Sequence, residues 1–332
     1  MTKRVGIIGI GAWASALAIL LAENGLPVTV WSQETDVVEI VNKTSENKKY
    51  LPGIVWNKNI FCTSEENYLS ECDLIVQAIP TQFIRKILER IFGVVAFKPF
   101  LNVAKGIEKN TLKRVSEILK DFGVSEDRYA VLSGPSHAEE VVKRVPTAVV
   151  VASKNENFRK DVQSIFSNVY FRVYTSEDVT GCELGGSLKN VIAIAAGIID
   201  GLQLGDNSKA ALMTRGLAEI ARLGVAMGAN PLTFSGLSGL GDLIVTCNSK
   251  YSRNRFVGEQ IAQGRRLEEI IANMNAIAEG VDTTISAYLL SLKYNVELPI
   301  AHKVYEILFE NLDPKNAILS LMSREFKPEV WW

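Results

Sequence analysis

The sequence predicts an α/β fold in two domains. An N-terminal, mostly parallel sheet covered by helices spans residues 1–178, and an all-helical domain spans residues 179–332. Three observations carry this expectation. Short, near-continuous apolar runs alternate with helical patterns as far as Tyr174, as strands buried on both faces do. From about Glu177 the strand signals stop and long helical patterns take over. The 332 residues exceed the roughly 250–300 that one core usually serves.

Val5-Gly6-Ile7-Ile8 reads as a short strand, and Gly9-Ile10-Gly11-Ala12-Trp13-Ala14 follows at once. A helix over 15–24 carries the stripe Leu17, Leu20, Leu21 and closes at Gly25. Val28-Thr29-Val30-Trp31 is the second strand. Strand, glycine turn, helix and strand in this order form the Rossmann-type dinucleotide fingerprint. Gly9 permits the tight turn, Gly11 lets the backbone approach a pyrophosphate at the helix N-terminus, and Ala14 is the small third residue. The bland alternative is a turn kept for packing alone.

Glu34 is the first acid after the second strand, where an acid usually accepts the 2′-hydroxyl of NAD. No Lys or Arg lies between Trp31 and Asn42 to meet the 2′-phosphate of NADP. The residues therefore lean to NAD or to poor discrimination, unless Glu34 is only a solvated loop charge.

A short helix is expected over 35–42 and a polar loop over 43–59, around Leu51-Pro52-Gly53. Residues 74–79 form a central strand ended by Pro80 and Thr81, and 82–92 a helix. The strand over 100–104 ends at Lys105-Gly106, 112–122 is amphipathic, and the strand over 130–133 ends at Gly134-Pro135-Ser136. Two more strands fall at 148–152 and 170–174. Sheets of this kind bind ligands beyond the carboxyl ends of their strands, where Pro80, Lys105 and the Gly134-Pro135-Ser136 turn fall. Lys105 is thereby a site candidate, against the reading of a solvated lysine. Helices are expected over 183–199, 209–224, 254–263, 267–273, 283–293, 301–308 and 315–322.

The first of these helices organises the second domain. Between Glu183 and Asp200 its one ionisable side chain is Lys189. Leu188, Ile192, Ala195 and Ile199 form a core face, while Gly185, Lys189, Ala193, Ala196 and Asp200 form a face of mostly small residues. Lys189 either snorkels to water or is a partly desolvated ammonium, its pKa brought toward neutrality so that it exchanges protons. The small-residue face and the adjacent Asn190 amide favour the second reading. The apolar run is expected to be too short to span a bilayer. Further on, Gly236-Leu237-Ser238-Gly239-Leu240-Gly241-Asp242 reads as a glycine-rich turn delivering one acid, Asp242, unless that acid is a mere helix cap. Ser252-Arg253-Asn254-Arg255 offers hydroxyl, guanidinium and amide donors suited to phosphate oxygens, or else is a polar helix start.

Composition limits the alternatives. A net charge of −1 leaves no footprint for nucleic acid or a membrane surface. The four cysteines are widely spaced, as in a reducing cytoplasm, and two histidines do not support a zinc site. Oligomeric state, including a homodimer through the apolar helices, and the terminal Trp331-Trp332 pair stay open.

Together these segments resemble the bacterial and eukaryotic NAD(P)-dependent glycerol-3-phosphate dehydrogenases over nearly the whole chain. The matching stretches include Gly9-Ile10-Gly11-Ala12-Trp13, Ala104-Lys105-Gly106-Ile107-Glu108, Ser133-Gly134-Pro135-Ser136, Leu184-Gly185-Gly186-Ser187-Leu188-Lys189-Asn190, Thr214-Arg215-Gly216-Leu217-Ala218-Glu219, Gly239-Leu240-Gly241-Asp242-Leu243, Ser252-Arg253-Asn254-Arg255 and Ala278-Glu279-Gly280. The segment around Lys189 together with the Ser-Arg-Asn run is the specific part. The resemblance implies reversible reduction of dihydroxyacetone phosphate to sn-glycerol 3-phosphate for glycerophospholipid synthesis, with NAD or NADP and no metal. It implies that Lys189 exchanges the proton, with Lys105 and Asp242 as further active-site groups. It places Lys105, Gly134, Ser136, Lys189, Asn190, Asp242, Ser252, Arg253 and Asn254 at the substrate. It places Gly9, Gly11, Ala12, Trp13, Gln33, Lys105, Ala138, Arg253, Ile277 and Glu279 at the dinucleotide. Three positions depart from the bacterial pattern: Ala12 replaces a usual serine, Ala14 a usual glycine, and Gln33 a frequent basic residue, which weakens the case for NADP. The alternatives are a two-domain hydroxy-acid dehydrogenase with a catalytic lysine and a non-catalytic dinucleotide-binding protein.

Overall fold

The structure, a computed structural model, describes residues 3–274 and 276–329; Trp331 and Trp332 lie outside them. The chain runs β1 (Val5–Ile8), α1 (Ala12–Glu23), β2 (Val28–Trp31), α2 (Thr35–Thr44), β3 (Ile60–Thr63), β4 (Leu74–Gln77), α3 (Ile84–Val95), β5 (Phe100–Asn102) and α4 (Val115–Asp121). It continues through β6 (Tyr129–Ser133), α5 (Ala138–Val141), β7 (Thr147–Ala152), α6 (Glu156–Phe166) and β8 (Phe171–Ser176). The strands form one sheet in the order β3-β2-β1-β4-β5-β6-β7-β8. Every pairing is parallel except that of β6 with β7. Strand order reverses beside β1, so a crevice opens at the carboxyl ends of β1 and β4.

The strands are apolar throughout because both faces are covered. Alternate side chains go to opposite sides. Ile7, Val30, Val76, Leu101 and Leu132 join one cluster with α1, α2 and α6. Ile8, Trp31, Ile75, Phe100 and Val131 join another with α3 and α4.

The second half is helical: α7 (Val179–Gly201), α8 (Gly205–Ala226), α9 (Asp242–Asn248), α10 (Arg253–Ala262), α11 (Leu267–Ala272), α12 (Glu279–Tyr294), α13 (Pro299–Phe309) and α14 (Pro314–Met322). Their apolar faces make a third cluster around α7. This helix corrects one expectation. At 23 residues it is long and apolar enough, by length and composition, to cross a membrane, yet its whole apolar window is buried inside the protein. It is a core helix by packing, not by shortness. Glu183 ties its start to the sheet domain, accepting from Tyr129 Oη at 2.6 Å, Ser116 N at 2.8 Å and Arg114 Nη1 at 2.9 Å.

Other differences are local. The 45–73 stretch holds an edge strand, β3, paired only with β2 and half exposed, so its sequence pattern is weak. α4 starts at Val115 rather than 112 because Leu112 sits at φ 60°, outside helical space. α6 and α9 lie where no helix was expected, and α1 already starts at Ala12.

Candidate active site

Every residue that the resemblance places at the substrate or the dinucleotide, except Gly134, lines one cleft, of about 590 Å³, between the sheet's carboxyl edge and the helical half. Its sheet side is built from loops. Gly9 adopts φ +112°, closed to side chains in any case, and a Cβ there would lie 3.0 Å from the Ala78 carbonyl oxygen. Gly11 is the N-cap of α1, no side chain caps that helix, and a Cβ at Gly11 would meet nothing within 4 Å. The start of α1 is thus uncapped by any side chain and lies on the cleft. That is the cradle a pyrophosphate needs, so the residues present fit a dinucleotide. Trp13, Ala12, Gln33 and Ala138 line the same cleft.

The helical side brings Lys189 and Asp242 up to Lys105 of the loop after β5. Lys189 of α7 is 5% exposed, which excludes the snorkelling reading. Its Nζ lies 2.7 Å from Asp242 Oδ1, and Lys105 Nζ lies 2.7 Å from Asp242 Oδ2. Asp242 is thus a bridge between two ammonium groups, not a cap; it opens α9 as that helix's first residue. Lys105 also donates to the Gly134 carbonyl oxygen at 3.0 Å, which ties Gly134 to the cleft. Two cations on one carboxylate leave an excess positive charge facing the cleft.

Burial brings the Lys189 ammonium down to about 8; Asp242 opposes that fall and Lys105 adds to it. Burial alone would raise the Asp242 carboxyl, but Lys105 and Lys189 hold it below the usual carboxylate range. His137 is driven down to about 4 by burial and by Lys189 and Lys105, so its ring is neutral near pH 7 and is no proton store.

Several groups are already engaged. Asn190 Nδ2 donates to the Lys105 carbonyl oxygen at 3.1 Å, Asn254 Oδ1 accepts from Gly280 N at 2.9 Å, and Ser136 Oγ donates to Gly134 O at 2.9 Å. Ser252 Oγ caps α10 by accepting from Arg255 N at 3.2 Å. Arg255 turns away to Asp200, leaving Arg253 exposed at the cleft with no carboxylate partner among the described residues. Glu279, at the start of α12, accepts from Thr81 N at 2.7 Å and Lys105 N at 3.3 Å, bonding the helical half to loops after β4 and β5. Ile277 is half exposed beside it.

Sequence reasoning missed Thr246. Lys189 Nζ donates to its Oγ1 at 2.5 Å, and that hydroxyl donates to the Asp242 carbonyl oxygen at 2.6 Å. The available signal was its place one helical turn after Asp242, on the same face.

Comparison with known proteins adds two family matches. The model described as the N-terminus of NAD-dependent glycerol-3-phosphate dehydrogenase matches residues 4–159, and that described as its C-terminus matches residues 178–319. A glycerol-3-phosphate dehydrogenase of the NAD(P)+ type from Lysinibacillus sphaericus is 49% identical over 332 residues, covering 99% of this chain and 98% of that one. The Bacillus subtilis enzyme of the same name is 48% identical over 326 residues, 97% of this chain and 94% of that one. The crystal structure of glycerol-3-phosphate dehydrogenase from Coxiella burnetii superposes with a TM-score of 0.93 at 36% identity, covering 97% of this chain and 99% of that one.

Proposed function

The chain belongs to the NAD-dependent glycerol-3-phosphate dehydrogenase family, and from that premise we propose how its own residues carry the reaction. It is an NAD(P)-dependent oxidoreductase, which sets aside a non-catalytic binder. The reaction is the reversible reduction of dihydroxyacetone phosphate to sn-glycerol 3-phosphate. The observation that carries the residue assignment is the Lys189–Asp242–Lys105 bridge in the cleft that also holds the glycine turn.

The bound nicotinamide supplies the hydride. Lys189 gives its proton to the ketone oxygen, neutralising charge on that oxygen as it develops. Asp242 and the Thr246 hydroxyl hold the ammonium in place. Lys105, on the same carboxylate, favours an anionic substrate. Arg253, with the amide nitrogen of Asn254, clamps the phosphate, and the clamp sets the carbonyl against the cofactor. Gly9, Gly11, Ala12 and Trp13 carry the pyrophosphate. Residues 1–178 serve as the dinucleotide domain and 179–332 as the substrate domain. A cytoplasmic role feeding glycerophospholipid synthesis accords with four buried, unpaired cysteines.

Two measurements test this assignment. Protonated Lys189 is the acid for reduction, so kcat/KM for dihydroxyacetone phosphate should be flat below about pH 8 and fall above it; for oxidation it should rise through pH 8 to a plateau above it. A profile in the reducing direction that stays level from pH 7 to about 9.5 rejects Lys189 as the acid. Second, Arg253→Ala should raise KM for the phosphorylated substrate by about 10- to 100-fold and change kcat far less. An unchanged KM rejects the clamp.

A further inference from the structure

One ion pair in the cleft has no part in the proton chemistry. Lys49 Nζ lies 2.6 Å from Glu34 Oε2, and Tyr50 Oη donates to the same oxygen at 2.8 Å. Among the described residues none donates to the other carboxylate oxygen. All three side chains line the cleft together with the glycine turn. Glu34 follows β2, where this fold meets the adenosine ribose. A bare carboxylate there accepts a 2′-hydroxyl and repels a 2′-phosphate.

The sequence next to β2 carries no basic residue to offset that repulsion, but the fold brings one in from the following loop. That loop is fastened to the glycine turn itself. Asn47, fully buried, donates from Nδ2 to the Ile10 carbonyl oxygen at 2.7 Å and to Ser15 Oγ at 2.9 Å. Its Oδ1 accepts from Tyr50 N at 3.1 Å. Trp56 N donates to Ser45 O at 2.7 Å and Gly53 N to Glu46 Oε1 at 2.7 Å, closing the loop's neck. Lys49 is therefore held at the dinucleotide cradle by backbone geometry, not by chance on a free surface.

The pair itself is only partly buried, with side-chain exposures of 43% and 34%. Pairs so exposed contribute little to stability, so this one opens at little cost. When Lys49 leaves, Tyr50 stays on Glu34 and the carboxylate keeps a donor. Glu34 holds the Lys49 ammonium above the ordinary lysine range, so it is charged throughout the working pH range.

We propose that Glu34 and Lys49 together select the coenzyme: Glu34 accepts the 2′-hydroxyl of NAD, and Lys49 swings off Glu34 to pair with the 2′-phosphate of NADP. The chain thereby takes both coenzymes without a basic residue at position 33. This rests on the dehydrogenase reading above.

The test is equilibrium binding of adenosine 2′,5′-bisphosphate and of 5′-AMP by calorimetry to the wild type, Lys49→Met and Glu34→Gln. It is paired with kcat/KM for NADPH and NADH against dihydroxyacetone phosphate. Lys49→Met should weaken the bisphosphate about tenfold or more beyond any loss for 5′-AMP, the value of a charge-assisted contact. Glu34→Gln should move the NADPH-to-NADH ratio the opposite way. Equal losses for both nucleotides in Lys49→Met, or ratios that move together in the two variants, overturn the selector. Discrimination of the bisphosphate by Lys49 in a wild type that does not reduce dihydroxyacetone phosphate keeps the selector and overturns the reaction assignment instead.

Discussion

Replacing Lys189 by methionine is expected to lower kcat for dihydroxyacetone phosphate reduction by about 10²–10⁴-fold, the usual contribution of a positioned acid. NADH binding should change only a few-fold, because Lys189 belongs to α7 and the cradle to the loop after β1. Removing one partner of a buried pair normally leaves an unsatisfied charge at a large stability cost. Here Asp242 keeps Lys105 at 2.7 Å, so the carboxylate stays paired and the variant should fold. Methionine also fills most of the space of the lysine stem, limiting any cavity. The pH-dependent limb near 8 should vanish along with the rate. Lys189→Arg should be equally inactive, since a guanidinium does not release its proton in this pH range. Stopped-flow reduction at 340 nm, with NADH binding measured separately, gives both numbers. A methionine variant working near the wild-type rate would mean that another group, or water, delivers the proton.

Much of this molecule was legible in its residues, for identifiable reasons. β1 and β2 were readable because strands buried on both faces are mostly apolar, and the glycine turn because Gly9 and Gly11 stand between a strand and a helix, the setting of the dinucleotide fingerprint. Lys189 stood out because a lone charge on an otherwise apolar helix has to be explained by something outside that helix. What escaped was whatever depends on partners far along the chain. β3 is an edge strand whose pairing with β2, not its own pattern, makes it a strand. α9 is seven residues long and follows a glycine-rich turn, so propensity alone pointed to loop. Thr246 became visible only once that turn was a helix. Lys49 was invisible for the same cause: nothing near Glu34 in sequence says that a loop pinned by Asn47 will lay a cation across it. The Ser252-Arg253-Asn254-Arg255 run was half readable; its two arginines look equivalent in sequence, and the fold alone sends Arg255 to Asp200.

Gly258→Ala is expected to be the most damaging small change in the helical half. A Cβ at Gly258 of α10 would lie 1.9 Å from the Ile194 carbonyl oxygen of α7, and a Cβ at Gly197 of α7 would lie 1.9 Å from the Arg255 carbonyl oxygen of α10. The two helices therefore cross backbone to backbone, each using one glycine as the other's seat. No side-chain rotamer relieves such a clash, since the obstacle is main chain, and the helices must separate. Overpacking of a side chain costs about 1–3 kcal/mol, and a main-chain obstacle puts this case at or above that upper end. For a chain of 332 residues that corresponds to a Tm lower by about 4 °C or more. The effect should reach the site as well. Ile194 shares α7 with Lys189, and Gly258 shares α10 with Arg253 and Asn254, so a wider crossing moves the proton donor away from the phosphate clamp. Loss of kcat/KM should then exceed what the lost folded fraction explains. Gly93→Ala is the control, because that glycine lies inside α3 and a Cβ there meets nothing within 4 Å. It should be neutral or stabilising by up to about 1 kcal/mol through helix propensity. Differential scanning calorimetry of the two variants settles the matter: equal melting temperatures would show that the helices do not pack as closely as the glycines imply.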